Sequence, residues 1–104
     1  MTPAEREAFY DAEIAPALLD LARKCQEKGL SLIAQVEWEP GETGRTAAFA
    51  GDSGIGIRMA EAAMRAKGNI DAFLLGMTKH AREHGHSSMF LNLLDVPTTP
   101  KSTT

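Results

Sequence analysis

Apolar side chains in the N-terminal part of the chain recur at the spacing of an α-helix. They share one stripe with a repeat of about 3.6 residues: Tyr10, Ile14, Leu18, Leu21 and Cys25. Thr2 and Glu5 have the spacing of a capping box at the start of this helix, and Gly29 is suited to the position just after its end. Pro16 lies inside the helical pattern and removes a backbone donor there. The sequence therefore predicts a long first helix that is bent or divided near Pro16.

The period changes from helical to two between Leu30 and Glu39. Apolar residues alternate with polar ones along this segment, LSLIAQVEWE, and only Ile33 falls on the polar side. This alternation predicts a strand with one buried face. The following PGETG at residues 40–44 is turn-forming, and Arg45–Ala50 is a weaker strand that would pair back as a hairpin.

The C-terminal half is predicted to contain two further helices and a third strand. Ile57–Lys67 is rich in Ala and Met and is followed by Gly68. Asn69 can cap the next helix, which Gly85 ends. The apolar stripe of that helix comprises Ile70, Phe73, Leu74, Met77 and Ala81. Ser88–Leu94, SMFLNLL, alternates imperfectly between apolar and polar residues, and we interpret it as a short third strand.

These elements predict an α+β fold with the order α-β-β-α-α-β. Three mainly antiparallel strands would form a small sheet, and the helices would cover its apolar face in a two-layer sandwich. A chain of 104 residues has room for one modest core. We therefore predict a single compact domain over residues 1–94 and a flexible Pro/Thr-rich tail over residues 95–104.

Composition and charge narrow the classes of partner. The net charge is −3 and the basic residues are interspersed with acids, so nucleic acid is not expected as a partner. The longest apolar run, Ala72–Met77, is too short to span a bilayer, and no signal peptide is visible at the N-terminus. The single cysteine, Cys25, fits a reducing compartment. These features predict a cytoplasmic protein without a membrane partner.

The segment GDSGIGIR, from Gly51 to Arg58, joins the second predicted strand to a helix. Backbone amides at a helix N-terminus attract anions. Ser53, Gly54, Gly56 and Arg58 therefore form a candidate site for a small anion.

A simpler interpretation of the same segment is structural. Asp52 or Ser53 would cap the helix, and the glycines would allow positive φ and close packing. A nucleotide is not expected, because Met59 stands where a dinucleotide-binding loop has Gly or Ala, and no Lys suits a phosphate-binding loop.

Two short serine motifs do not predict catalysis. GDSG at residues 51–54 also surrounds the serine of trypsin-like proteases, but those enzymes have their histidine upstream, and all three histidines here lie downstream. GHSSM at residues 85–89 lacks the second glycine of a nucleophile elbow and follows a helix instead of a strand. We therefore predict no catalytic residue and no cofactor.

The segment HAREHGH places His80 and His84 one helical turn apart and His86 just past the end of the helix. Imidazoles at positions i and i+4 can share a metal ion, and His86 would supply a third ligand after the chain turns. The alternative is that the three are polar residues near a helix C-terminus, bordering its apolar stripe.

These features together favour a small non-enzymatic protein–protein interaction module that forms a homodimer. The helices carry more Met, Ala and Leu than three short strands can cover, and a strand edge at Ser88–Leu94 or Arg45–Ala50 would be open to a partner. The size suggests an accessory protein of the kind found in bacterial and phage genomes. The alternative is a small-ligand or anion-binding domain built on Gly51–Arg58.

Overall fold

Two units make up the chain, Met1–Lys67 and Gly68–Thr104. The structure, a computed structural model, describes residues 1–100, and residues 101–104 of the predicted tail lie outside the described residues. The mixed α+β class is confirmed, with two strands in one antiparallel sheet. Within residues 1–100, no helix combines the length and the apolar character that a bilayer crossing requires. The single-domain boundary at residue 94 stays a prediction.

The first helical region has three segments: α1 at Pro3–Phe9, a π-helical segment at Tyr10–Ile14 and α2 at Ala15–Glu27. The predicted capping box begins it. The Glu5 amide donates to the Thr2 hydroxyl, and the Thr2 amide donates to the Glu5 carboxylate, each at 3.1 Å. The hydrogen bond with the Thr2 backbone, and then the one with its side chain, lower the pKa of Glu5.

The π-helical segment accommodates Pro16. The Ala15 amide donates to the Tyr10 carbonyl, five residues back, so one turn holds an extra residue just before the proline, which has no amide to donate. In a regular helix Ala22 would lie about 120° around the axis from Tyr10, and the extra residue removes about 100° of that angle. Tyr10 and Ala22 therefore face the same way, and both are buried. Leu21, which we predicted on this stripe, is turned outward and is 47% exposed.

The two strands, β1 at Leu32–Glu39 and β2 at Glu42–Ala48, form the predicted antiparallel hairpin. The register pairs Val36 with Gly44. Exposure alternates along the second half of β1, as the period of two predicts. The turn between the strands includes Gly41, whose φ of +84° is a conformation that glycine adopts without a steric penalty.

The contact between Tyr10 and Gly44 fixes the first helical region on the hairpin. A Cβ atom on Gly44 would overlap the Tyr10 ring and hydroxyl, so the ring lies directly on the strand backbone. Tyr10 also packs on Trp38, with ring centroids 5.1 Å apart and planes tilted by 32°. Arg6 adds a hydrogen bond of 2.6 Å from Nε to the Trp38 carbonyl oxygen. On the same face β2 ends at the buried Ala48.

Helix α3, Ile55–Ala66, contacts the hairpin from its other face. Arg45 follows Gly44 in β2, so its side chain belongs to the opposite face of the sheet. The Arg45 guanidinium lies 3.8 Å from the Glu61 carboxylate of α3. Helices thus contact both faces of the hairpin, instead of the single apolar face that we predicted. The half-burial of Ile33, the residue that breaks the alternation, fits this second covered face.

The second unit contains α4 at Ile70–His84 and α5 at Met89–Leu93. Asn69 caps α4 as predicted and accepts a hydrogen bond of 2.9 Å from the Ala72 amide. Helix α5 occupies the segment Ser88–Leu94, which we predicted as a strand. The third strand is therefore wrong, and so is the element order that ended in it.

Capping and propensity explain why this segment is helical. The Ser88 hydroxyl accepts a hydrogen bond of 3.1 Å from the Leu91 amide and caps α5. The Leu94 amide closes the last turn on the Phe90 carbonyl at 3.2 Å. The segment contains no β-branched residue, and its Met and Leu residues have good helix propensity. Imperfect alternation is a weaker signal than a capping serine followed by such residues.

Residues after α5 make specific backbone contacts within the second unit. The Val96 amide donates to the Leu91 carbonyl at 3.0 Å, and the His86 amide donates to the Thr98 carbonyl at 3.2 Å. A Cβ atom on Gly85 would lie only 2.8 Å from that Thr98 oxygen. Val96 is 2% exposed. The flexibility predicted for residues 95–104 stays a prediction.

Replacing Gly44 with Ala should lower the free energy of unfolding by about 1–3 kcal/mol, because the added methyl group has to displace the Tyr10 ring. Urea denaturation followed by circular dichroism measures the change. Gly56→Ala is the matched control, since a Cβ atom there meets open space in α3 and should cost nothing. Equal losses of stability in the two variants would contradict the Tyr10–Gly44 contact.

Candidate functional site

Ser53 closes the turn that joins β2 to α3. Its hydroxyl donates to the Ala50 carbonyl oxygen at 2.6 Å and lies 2.7 Å from the Ser31 hydroxyl oxygen. Because the Ser53 proton is used on Ala50, Ser31 is the donor between the two hydroxyls. The Ser31 oxygen in turn accepts from the Ala50 amide at 3.0 Å. The serine of the predicted anion site therefore belongs to a closed network within the turn.

The three glycines of this segment do not use the conformational freedom of glycine. Gly54 has φ −78° and ψ 175°, and neither Gly51 nor Gly56 has a positive φ. A Cβ atom on any of the three would meet open space. Our interpretation that they allow positive φ and close packing is therefore wrong. Their effect is to leave the backbone at the start of α3 accessible.

Helix α3 begins without a side-chain cap. Gly54 is the N-cap residue, and within residues 1–100 no side chain caps this helix, so the expectation that Asp52 or Ser53 does so is wrong. The first amides of a helix carry partial positive charge. Arg58 lies at the end of the first turn, with its guanidinium carbon 5.0 Å from the centre of the Phe49 ring. The start of α3 thus combines accessible amides with one guanidinium group.

Three arginines surround Glu61 on α3. The Arg45 and Arg58 guanidinium groups lie 3.8 Å from the Glu61 carboxylate oxygens, and that of Arg65 lies 3.6 Å away. The Glu61 side chain is only 15% exposed, and the arginines are more exposed. One carboxylate therefore opposes three positive charges. We call these four residues the arginine cluster.

Sequence reasoning identified only Arg58 of this cluster. Arg45 comes from β2, and its place opposite α3 depends on tertiary structure. Arg58 and Arg65 lie three and four residues from Glu61. This spacing brings side chains together on a helix, so the sequence contained a signal for the part of the cluster that lies on α3.

His86 is hydrogen bonded through both ring nitrogens. Its Nδ1 accepts from the Ser88 amide at 2.9 Å, so the proton of the neutral ring is on Nε2. Nε2 lies 2.9 Å from the Val96 carbonyl oxygen and donates to it. In this arrangement neither nitrogen is available to a metal ion. His86 instead connects the start of α5 with the segment that follows it.

His80 and His84 lie side by side on α4. Their ring centroids are 4.6 Å apart, and the planes are tilted by 41°. The Nε2 atom of His84 is 3.9 Å from a Glu83 carboxylate oxygen. Among residues 1–100, no three His, Cys, Asp or Glu side chains are grouped where they could hold a metal ion. The structure brings two of the three predicted ligands together, and their binding of a metal stays a prediction.

Helix α5 and its C-cap residue, Leu94, expose large apolar side chains on one side. At about 100° per residue, four of them fall within an arc of about 140°: Met89, Phe90, Leu93 and Leu94. Met89 and Leu93 are 84% and 79% exposed, and the other two are more than half exposed. We call these four residues the α5 face. The predicted strand would not have had this face, because alternate side chains of a strand point to opposite sides.

Comparisons with protein-family models, with curated proteins and with solved structures find no match to this chain. The function is therefore inferred from the chain's own residues.

Ser53→Ala should lower the free energy of unfolding by about 1 kcal/mol, because the variant loses the hydrogen bonds to Ala50 and Ser31. Chemical denaturation measures the loss. Ser87→Ala serves as the control, since Ser87 is exposed and its replacement should change stability little. If both variants are as stable as the original chain, the turn network does not contribute to stability.

Proposed function

We propose that the protein is a non-enzymatic interaction module that binds a second copy of itself through the α5 face. The observation that carries this proposal is the exposure of Met89, Phe90, Leu93 and Leu94. Burying apolar surface away from water is favourable, and these side chains are not buried within the single chain. Contact with a protein partner would bury them.

The size of the α5 face suits a protein contact. Each of its side chains offers on the order of 100 Å² of apolar surface, and more than half of each residue is exposed. The patch therefore approaches the 300–600 Å² or so of the largest patch on a typical monomer. A stable dimer buries about 800 Å² on each partner. Ile70 and Leu75 of α4 are also more than 70% exposed and add further apolar surface to the same unit.

Charge favours a second copy as the occupant. The chain carries a net charge of −3, but residues 85–94 contain no Asp, Glu, Lys or Arg. Two copies can therefore bring their α5 faces together with little charge repulsion at the contact. A twofold interface pairs one patch with the same patch on the partner, and an uncharged apolar face is complementary to itself. The single free cysteine fits a reducing compartment, and we propose a cytoplasmic location on that ground.

Met89→Asp and Leu93→Asp should each weaken dimerisation at least tenfold, because a carboxylate at the centre of an apolar contact loses its hydration. Both side chains are largely exposed within the single chain, so neither change should disturb its folding. Sedimentation equilibrium over a wide range of protein concentrations measures the dissociation constant.

Leu30→Asp is the matched control for these variants. Leu30 is also more than half exposed, but it lies in the first unit, between α2 and β1. This variant should dimerise as the original chain does. A chain that stays monomeric at every concentration contradicts the proposal, and so does a dimer that neither α5 substitution weakens.

As a second function, we propose anion binding at the start of α3. The observations that favour it are the ratio of three guanidinium groups to one carboxylate in the arginine cluster and the position of one of them, Arg58, in the first turn of a helix that has no side-chain cap. Guanidinium groups bind phosphate and carboxylate through paired hydrogen bonds. Gly54 and Gly56 leave the backbone open to such a ligand. The ligand class is a small phosphate or carboxylate compound.

Inorganic phosphate should raise the melting temperature of the chain, and Arg58→Ala should reduce the affinity about tenfold, because one charge-assisted hydrogen bond is lost. Differential scanning fluorimetry over a phosphate titration, with total ionic strength held constant, measures both effects. Lys67→Ala is the control, since Lys67 is an exposed cation outside the arginine cluster. Equal responses from the two variants would indicate general screening and contradict a site at Arg58.

A further inference from the structure

We propose that His80 and His84 form a two-histidine site for a late first-row transition metal ion, Zn²⁺ or Cu²⁺, whether or not the chain dimerises. Side chains four residues apart on a helix lie one above the other. On α4 the two imidazole rings are already adjacent, with centroids 4.6 Å apart. Rotation about the side-chain torsions alone can turn one nitrogen of each ring toward a shared ion.

Both rings have nitrogens that the protein does not use. Within residues 1–100, the only histidine ring that is hydrogen bonded to the protein is that of His86. The His84 side chain is 63% exposed, and His80 is half-buried beside it. An unengaged neutral imidazole has a lone pair that can bind a metal. The site therefore consists of two histidines, and His86 is excluded by its own hydrogen bonds.

The ligand type and number decide which metal fits. Imidazole nitrogens suit copper, nickel and zinc, and the affinity of such ligands for divalent ions is highest for Cu²⁺. Hard ions such as Mg²⁺ and Ca²⁺ prefer oxygen ligands and are not expected. Two protein ligands leave the remaining coordination positions open to water.

The charges around the pair are mixed. The Glu83 carboxylate lies 3.9 Å from the Nε2 atom of His84 and attracts a cation to that side. Lys79 and Arg82 are exposed neighbours in the same helix and oppose it. Their long side chains can extend into water, away from a bound ion. Coordination by both rings, and not the local charge, therefore has to provide most of the affinity.

Titration of Cu²⁺ and Zn²⁺ into the full chain, prepared without a histidine tag, tests the site. We expect one metal ion per chain and, in the electron paramagnetic resonance spectrum of the Cu²⁺ form, two equatorial nitrogen ligands. His80→Ala and His84→Ala should each leave one nitrogen and weaken binding at least tenfold, because the second ligand no longer acts at a high effective concentration. The metal should also raise the melting temperature of the original chain, and neither variant should show this rise.

Two control variants distinguish this site from other metal binding. Lys79→Ala alters the local charge, and His86→Ala removes the third histidine, and both should keep the two-nitrogen spectrum. Melting in the presence of a chelator checks that each variant is folded. Full affinity in His80→Ala or His84→Ala would overturn the proposal, as would lost binding in a folded His86→Ala or one ion per two chains. Sedimentation of the metal-free chain tests dimerisation through the α5 face separately.

Discussion

The first unit depends on an aromatic ring that lies on a strand at a position where no side chain intervenes. Tyr10 is the only large side chain among the buried residues of Met1–Lys67, and the others, Ala22 and Ala48, are small. Because the other buried side chains are so small, the Tyr10 ring provides most of the packing between the helix and the hairpin. The absence of a Cβ atom at Gly44 lets the ring reach the backbone. The neighbouring ring of Trp38 gives Tyr10 a second contact on the hairpin.

The second unit is organised by polar contacts more than by a core. Only Ala81 and Val96 are buried among its described residues, while the α5 face stays in water. His86 connects α5 with Val96 through both of its ring nitrogens. Such a short segment cannot cover all of its apolar surface by itself. This imbalance is the physical basis for the proposed dimer contact, and the polar contacts hold α5 in place.

The parts of the fold that follow from local periodicity could be predicted from the sequence. The helical stripe, the capping box at Thr2, the hairpin and the Asn69 cap all depend on residues close together in the chain. The third strand was wrong because imperfect alternation was given more weight than the capping side chain of Ser88. The glycines of the Gly51–Arg58 segment were misread because their φ angles depend on how the turn is closed, which Ser53 and Ser31 decide together.

The candidate sites could also be predicted only where they depend on local spacing in the chain. The adjacency of His80 and His84 follows from helical spacing alone. His86 is excluded as a ligand because its ring is hydrogen bonded to Val96, ten residues away. No pattern in the sequence predicts that hydrogen bond. The complete arginine cluster could not be predicted from the sequence, because Arg45 joins it only through the tertiary contact between β2 and α3.

The π-helical segment at Tyr10–Ile14 lets the first helical region lose one residue at that place without losing its contact with the hairpin. A deletion of one codon there would remove the extra residue and leave a continuous, regular helix, and everything downstream would keep its direction around the axis. Ala22 would still face the sheet, and Leu21 would remain off the seam that Tyr10 begins. A deletion within α2 before Ala22 would instead turn Ala22 away from the sheet by about 100°.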